Sequence, residues 1–228
     1  FRQNNTIALN LCWQYSTPTL GVQAMGHNSE FAIKAGRVFC SETGINGSGS
    51  VLIKGNEIES AGPDLKINSS TSIIDFPNCL IIPGLIDMHA HPSPSNWKYG
   101  VDPDIEALPR GTTTMLSQGD AGAKVWDQYL EDVIFASETR ILMAISLSVQ
   151  GESEHRPALG CLEDIDTSQC VNTILRGGAH IWGISINLNP GVTGTNDPKQ
   201  IMSKSLDTAE QTGKPLLFGA RIETDEWP

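Results

Sequence analysis

The chain has 228 residues, of which 39% are hydrophobic and 18% are charged, and its formal net charge at pH 7 is −11. These values are typical of a globular protein that is long enough to bury a core, in one domain or in two. An acidic chain without a cluster of Lys and Arg excludes nucleic acid as the expected partner, because phosphate binding needs such a cluster. No apolar stretch approaches the roughly 20 residues of a membrane-spanning helix, so no membrane partner is expected.

Residues 1–24 and residues 25–79 differ in their sequence pattern. Residues 1–24 have neither a helical nor a strand period, and we interpret them as a leader or a disordered segment. Residues 25–79 alternate short β-rich runs with turn signals, and Gly55-Asn56 predicts a tight hairpin between two of those runs. A small antiparallel, sandwich-like β-domain is therefore predicted over residues 25–79.

From residue 80 to residue 228, apolar strands alternate with helical periods, which is the pattern of βα units around a parallel sheet. The predicted strands span residues 80–88, 112–117, 140–149, 181–187 and 215–221. The predicted helices span 124–137 and 167–175, and a third runs between a start at Asp197-Pro198 and an end at Gly213.

Five strand–helix periods are present, the last of them without its helix. A closed (β/α)₈ barrel takes about 250 residues, and this chain has far fewer after residue 80. The fold class is thus predicted to be α/β, a partial TIM (β/α)₈ barrel preceded by the small β-domain, at the N-terminal end of a longer enzyme. A small open α/β sheet, complete in itself, is the alternative.

The richest motif is Pro83-Gly84-Leu85-Ile86-Asp87-Met88-His89-Ala90-His91, at the end of the first predicted barrel strand. Because residues i and i+2 of a strand share a face, the imidazoles of His89 and His91 project together. Two imidazoles on one face are suitable ligands for a single zinc ion or a similar cation. Asp87 shares this face and is expected to orient the histidines or the strand rather than to bind the metal.

This motif and the β-rich segments before it resemble the amidohydrolase superfamily of metal-dependent hydrolases, on its dihydroorotase, hydantoinase and D-aminoacylase side. The resemblance implies a divalent metal, zinc before others, bound as one or two ions, and hydrolysis of C–N bonds by metal-activated water. Two departures argue against the usual binuclear centre. Gly183-Ile184-Ser185 stands where many members carry a carboxylated lysine, and Phe218-Gly219-Ala220 stands where many carry a metal-binding histidine.

Further candidate residues lie at the ends of the later strands, where barrel enzymes place their active sites. Asp120 and His155 are candidate catalytic residues, although Asp120 also fits a plain turn and His155 a surface loop. Arg221, Gln118 and Asn187 are candidate substrate-binding residues. The forked donors of Arg221 suit a substrate carboxylate, and a surface ion pair is the alternative.

The predicted function is that of a hydrolase acting on an amide, a cyclic amide or an N-acyl amino acid, with a small molecule as its partner and a homo-oligomer as an open possibility. The alternatives are a deaminase of the same superfamily and a degenerate barrel without turnover. The five cysteines are scattered and form no Cys-x-x-Cys pair, and no secretory signal precedes them, so a cytoplasmic location is expected.

Overall fold

The computed structural model describes residues 30–94, 100–152 and 157–219. The predictions made for residues 1–24, for His155 and for Arg221 lie outside these ranges. Within these ranges the chain divides into two compact units. One is formed by the described residues up to Leu85 with Leu108–Thr113, and the other by the described residues from Ile86 to Ala107 and from Thr114 onward.

The first unit is built on a four-stranded sheet, in the order β3-β2-β1-β4. The strands are β1 (Glu30–Cys40), β2 (Ile45–Lys54), β3 (Glu57–Gly62) and β4 (Ser72–Ile81). The predicted hairpin at Gly55-Asn56 is confirmed, because Lys54 pairs with Glu57 across it. The prediction of a purely antiparallel unit is wrong, since β4 runs parallel to β1, with Ile33 opposite Ile74. The core of this unit contains Ile33, Val38, Val51 and Ile53.

The second sheet has five strands in chain order, β5-β6-β7-β8-β9. They are β5 (Leu85–Ala90), β6 (Thr112–Gln118), β7 (Arg140–Ser146), β8 (Ile181–Asn187) and β9 (Leu216–Gly219). The sheet is parallel and curled, so the chain is an α/β protein with a partial TIM barrel after a small β-domain, as predicted. The predicted strand over 80–88 is divided, because residues up to Ile81 pair with β1 instead.

The helices lie between the strands of the second sheet. They are α1 (Pro103–Glu106), α2 (Trp126–Tyr129), α3 (Thr167–Gly177), α4 (Pro190–Thr193) and α5 (Pro198–Thr212). The helix predicted over 124–137 is present but shorter, because a single α turn, α2, continues as a π-helical segment, Leu130–Ile134. Its apolar side is nevertheless buried as expected, with Trp126 and Tyr129 at most 1% exposed.

The limits of α5 follow from local chemistry, as predicted. The Asp197 side chain accepts a hydrogen bond from the backbone N–H of Lys199, and Pro198 occupies the first turn, where no N–H is needed. Gly213 ends the helix in the left-handed region, with φ of 64°. Helix α5 packs against α3 and β8 and buries Ile201 and Met202 in the core.

Strands β7 and β8 are buried on both faces, as is usual for strands of a parallel sheet. The core between this sheet and its helices includes Met143, Ile145, Ile184 and Ile186, all at most 1% exposed. The carboxyl ends of β5, β6, β7 and β8 lead into the segments that carry most of the predicted site residues. The fold therefore presents these residues at one end of the sheet.

Candidate active site

The histidine pair lies at the carboxyl end of β5. His89 is exposed and is the penultimate residue of the strand, whereas His91 follows the strand and is half-buried. The ring centroids of the two imidazoles are 5.9 Å apart, and the rings meet edge to face. Asp87 Oδ1 accepts a hydrogen bond from the backbone N–H of His89, at 3.0 Å, so this carboxylate contacts the strand rather than either ring.

His91 is held by a hydrogen-bonded series that ends inside the protein. Its Nδ1 lies 2.5 Å from Oδ1 of Asp120, and the hydroxyl of Ser117 donates to Oδ2 of the same carboxylate at 2.6 Å. Asp120 and Ser117 are fully buried, at 0% exposure. A carboxylate only accepts hydrogen bonds, so Asp120 places the imidazole proton on Nδ1. Burial by itself lowers the pKa of His91, but the hydrogen bond and negative charge of Asp120, with the charge of Glu152, raise it overall.

The structure brings only some of the predicted site residues together. Asp120, which sequence analysis left between a catalytic residue and a plain turn, contacts His91 directly. Gln118 is buried, and its Nε2 donates to the backbone oxygen of Met88 at 2.8 Å, so it ties β6 to β5. Asn187 ends β8, where its Oδ1 accepts from the backbone N–H of Asn189. The role of each in substrate binding stays a prediction.

Sequence reasoning did not identify Glu152, the last described residue of the segment after β7. Burial raises the pKa of its carboxyl to about 7; the positive charge of His91 opposes this rise, and the negative charge of Asp120 adds to it. The available signal was the position of Glu152 just beyond a predicted strand, at the end where barrel active sites lie. A neighbouring carboxyl with a raised pKa is a common feature of sites that transfer protons.

The residues present fit part of a metal site. A neutral imidazole with its proton on Nδ1 carries its lone pair on Nε2, and a carboxylate that orients a ligating histidine in this way is a frequent companion of bound zinc. His89, on the strand that leads to His91, supplies a second imidazole. Over residues 30–94, 100–152 and 157–219, no group of three or more His, Cys, Asp and Glu side chains is placed to hold a metal. The described part of the chain therefore offers two imidazoles as candidate ligands and one carboxylate that contacts the second of them.

The chain is similar to known proteins in sequence and in structure. No protein-family model matches the chain. A deacetylase of Agrobacterium fabrum is 28% identical over 155 residues, which cover 65% of this chain and 37% of that protein. The crystal structure of a dihydroorotase matches 84% of this chain and 51% of its own, with a TM-score of 0.72 and 21% identity. The crystal structure of an adenine deaminase matches 83% of this chain and 50% of its own, with a TM-score of 0.71 and 18% identity.

Together, the parallel sheet, the histidine motif and these matches confirm the resemblance to the amidohydrolase superfamily, whose fold the chain shares. The chain spans about half the length of the solved relatives and 37% of the first curated one. None of the helices in the described ranges is long and apolar enough to cross a bilayer.

Proposed function

We propose that the protein containing this chain hydrolyses C–N bonds in small amides, cyclic amides or N-acyl amino acids, with water activated by a divalent metal. His89 and His91 would hold that metal in part, and zinc is the first candidate because it favours imidazole ligands. Such an ion lowers the pKa of bound water and polarises a carbonyl group. The observation that carries the proposal is the contact of 2.5 Å between His91 and the buried Asp120.

The residues of this chain have separate parts in the proposed chemistry. Asp120 fixes the proton and the orientation of the His91 ring, and the Ser117 hydroxyl holds Asp120 in turn. Two of the similar proteins, a deacetylase and a dihydroorotase, are hydrolases of C–N bonds. They support hydrolysis of such bonds over the alternatives, which are deamination and a barrel without turnover.

A small-molecule substrate, a possible homo-oligomer and a cytoplasmic location belong to the proposal too. Four free cysteines in the described ranges agree with a reducing compartment.

The test is metal content and hydrolysis by the full-length protein. We expect zinc to co-purify, a chelator to abolish hydrolysis of an N-acetyl amino acid or hydantoin, and added zinc to restore it. His91→Ala and His89→Ala should remove zinc and activity. Asp120→Asn should weaken zinc binding by about 10- to 100-fold, because it removes the acceptor that orients His91.

His180→Ala is the matched control, since His180 lies in a short turn before β8 and contacts Phe135. It should retain zinc and activity. A wild-type protein that binds no zinc and hydrolyses none of these substrates would overturn the proposal in favour of a barrel that binds a ligand without turnover.

A further inference from the structure

The peptide group between Met88 and His89 is held by side chains at both of its polar atoms. Nε2 of Gln118, the last residue of β6, donates to the Met88 oxygen at 2.8 Å. The N–H of His89 donates to Oδ1 of Asp87 at 3.0 Å. Because the oxygen and the N–H of a trans peptide point in opposite directions, these two hydrogen bonds fix one peptide group from opposite sides.

The Gln118 amide continues the contact between β5 and β6 beyond the end of β6. Gly119 has φ of 73°, so the backbone leaves the extended conformation directly after Gln118, and the Gly119 N–H donates to Ala144 of β7 instead. Gln118 is 4% exposed, whereas the residue that it holds, Met88, is 57% exposed. A buried amide that loses its partner costs more free energy than an exposed one, so this contact is firmly specified.

The two histidines are held through separate contacts. The ring of His91 contacts Asp120, and its backbone oxygen accepts from the N–H of Val101 at 3.1 Å. His89 is held through the peptide group that precedes its Cα atom, and a rotation of that group would turn its imidazole. Two ligands of one metal ion must keep their distances within about 0.2 Å, so both rings need support.

We propose that Gln118 is a positioning residue that acts through His89. Its amide fixes the Met88–His89 peptide and thereby directs the imidazole of His89 toward the metal. This inference rests on the proposed function and deepens it, because it gives His89 the support that Asp120 gives His91. It differs from a substrate-binding role, in which the Gln118 amide would contact the substrate.

The experiment replaces Gln118 by methionine in the full-length protein. Methionine is about as long as glutamine and has no donor, so the change removes the hydrogen bond to Met88 and leaves the site filled. We expect the Kd for zinc, measured by competition with a chelator, to rise by about 10-fold or more. With zinc at saturation, KM for an N-acetyl amino acid should stay within about threefold of wild type.

Double variants show through which histidine Gln118 acts. The losses of zinc affinity in Gln118→Met and Asp120→Asn should multiply, because the two residues support different rings. The losses in Gln118→Met and Asp87→Ala should combine to less than their product, since both changes release the same peptide group.

A second readout needs neither zinc nor turnover. In the zinc-free protein, hydrogen exchange at the His89 N–H, followed by NMR, should become about fivefold faster or more in Gln118→Met. The Val101 N–H, which contacts the backbone of His91, should exchange at the wild-type rate and serves as an internal control.

Two further variants are matched controls. Gln128→Met makes the same chemical change at an exposed glutamine of α2, whose Nε2 donates to Asp132. Ile145→Val lowers stability in the buried part of β7, away from β5. Both should keep the zinc Kd and the His89 exchange rate within about threefold of wild type.

Four results would overturn the inference. The first is an unchanged zinc Kd in Gln118→Met, and a raised KM beside it would make Gln118 a substrate-binding residue. The second is an equal loss of zinc affinity in Ile145→Val, or faster exchange at Val101 as well, which would make the role of Gln118 generally structural. The third is a loss in Gln118→Met that does not multiply with that of Asp120→Asn.

The fourth result is a wild-type protein that binds no zinc. The proposed function then fails, and this inference fails with it, because His89 would have no ion to hold. Zinc binding by the wild type that survives Gln118→Met overturns the inference alone, so the two failures are distinguishable.

Discussion

At the scale of single residues, Glu152 makes stability depend on pH. Its pKa in the folded protein is raised from 4.5 to about 7, so the folded state binds its proton more tightly than the unfolded chain does. The carboxyl then has no cost well below pH 4.5. Its cost grows between pH 4.5 and about 7, because the unfolded chain loses the proton there and the folded chain keeps it, and this contribution to stability is fully lost above pH 7. A shift of this size corresponds to roughly 3 kcal/mol at most.

We therefore expect Glu152→Gln to unfold like the wild type at pH 4.5 and to be more stable than it at pH 8, by up to about 3 kcal/mol. Denaturant unfolding of the two metal-free proteins at several pH values measures this difference. The exposed variant Glu131→Gln should follow the wild type at every pH. A difference between Glu152→Gln and wild type that does not change with pH would contradict the raised pKa.

At the scale of elements, the site depends on how closely the segments after β6 and β7 pack. Gly122 lies in the first of these, and a Cβ atom there would come within 1.7 Å of the backbone oxygen of Ser148. Backbone cannot yield as a flexible side chain does, so the two segments would have to separate. That movement would displace Asp120 and Glu152, which these same segments carry.

Gly122→Ala should accordingly lower the free energy of unfolding by about 1–3 kcal/mol or more, measured by denaturant unfolding. Gly191→Ala is the comparison, because its Cβ would make only an ordinary contact, 3.5 Å from Oδ1 of Asn189. That change should stay within about 0.5 kcal/mol of wild type. Equal effects of the two substitutions would mean that the close packing near Gly122 does not constrain the site.

At the scale of the whole molecule, the described sheet ends in an exposed edge strand. Ile86 and Met88 of β5 are 59% and 57% exposed, and β5 has a neighbour on one side only within the described residues. Exposed apolar edge strands pair readily with other chains.

We predict that the 228-residue chain, expressed alone, self-associates, and that light scattering gives a mass above that of one chain. Ile86→Lys together with Met88→Lys should reduce this association, because charges oppose edge-to-edge pairing. Leu175→Lys, on the exposed side of α3, is the control for added charge elsewhere. A monodisperse monomer that unfolds cooperatively would contradict the prediction.

Sequence by itself was sufficient where the determinants are local. The spacing of His89 and His91 predicts neighbouring rings, and their centroids are 5.9 Å apart at the end of β5. Gly55-Asn56, Asp197 and Gly213 mark turns and helix ends through their own backbone preferences. The apolar period after Lys124 identified the buried side of α2. It did not distinguish a regular helix from one that widens into a π-helical segment, because both bury the same residues.

Tertiary structure decided what depends on residues far apart in the chain. The parallel pairing of β4 with β1 joins Ile33 to Ile74, and no local pattern specifies that choice of partner. Asp120 meets His91 across 29 residues, a contact that no local pattern predicts. Glu152 acquires its raised pKa only when burial removes water and brings Asp120 near. A local sequence period records which face is buried, whereas the electrostatics of the site arise from groups that only the folded chain brings together.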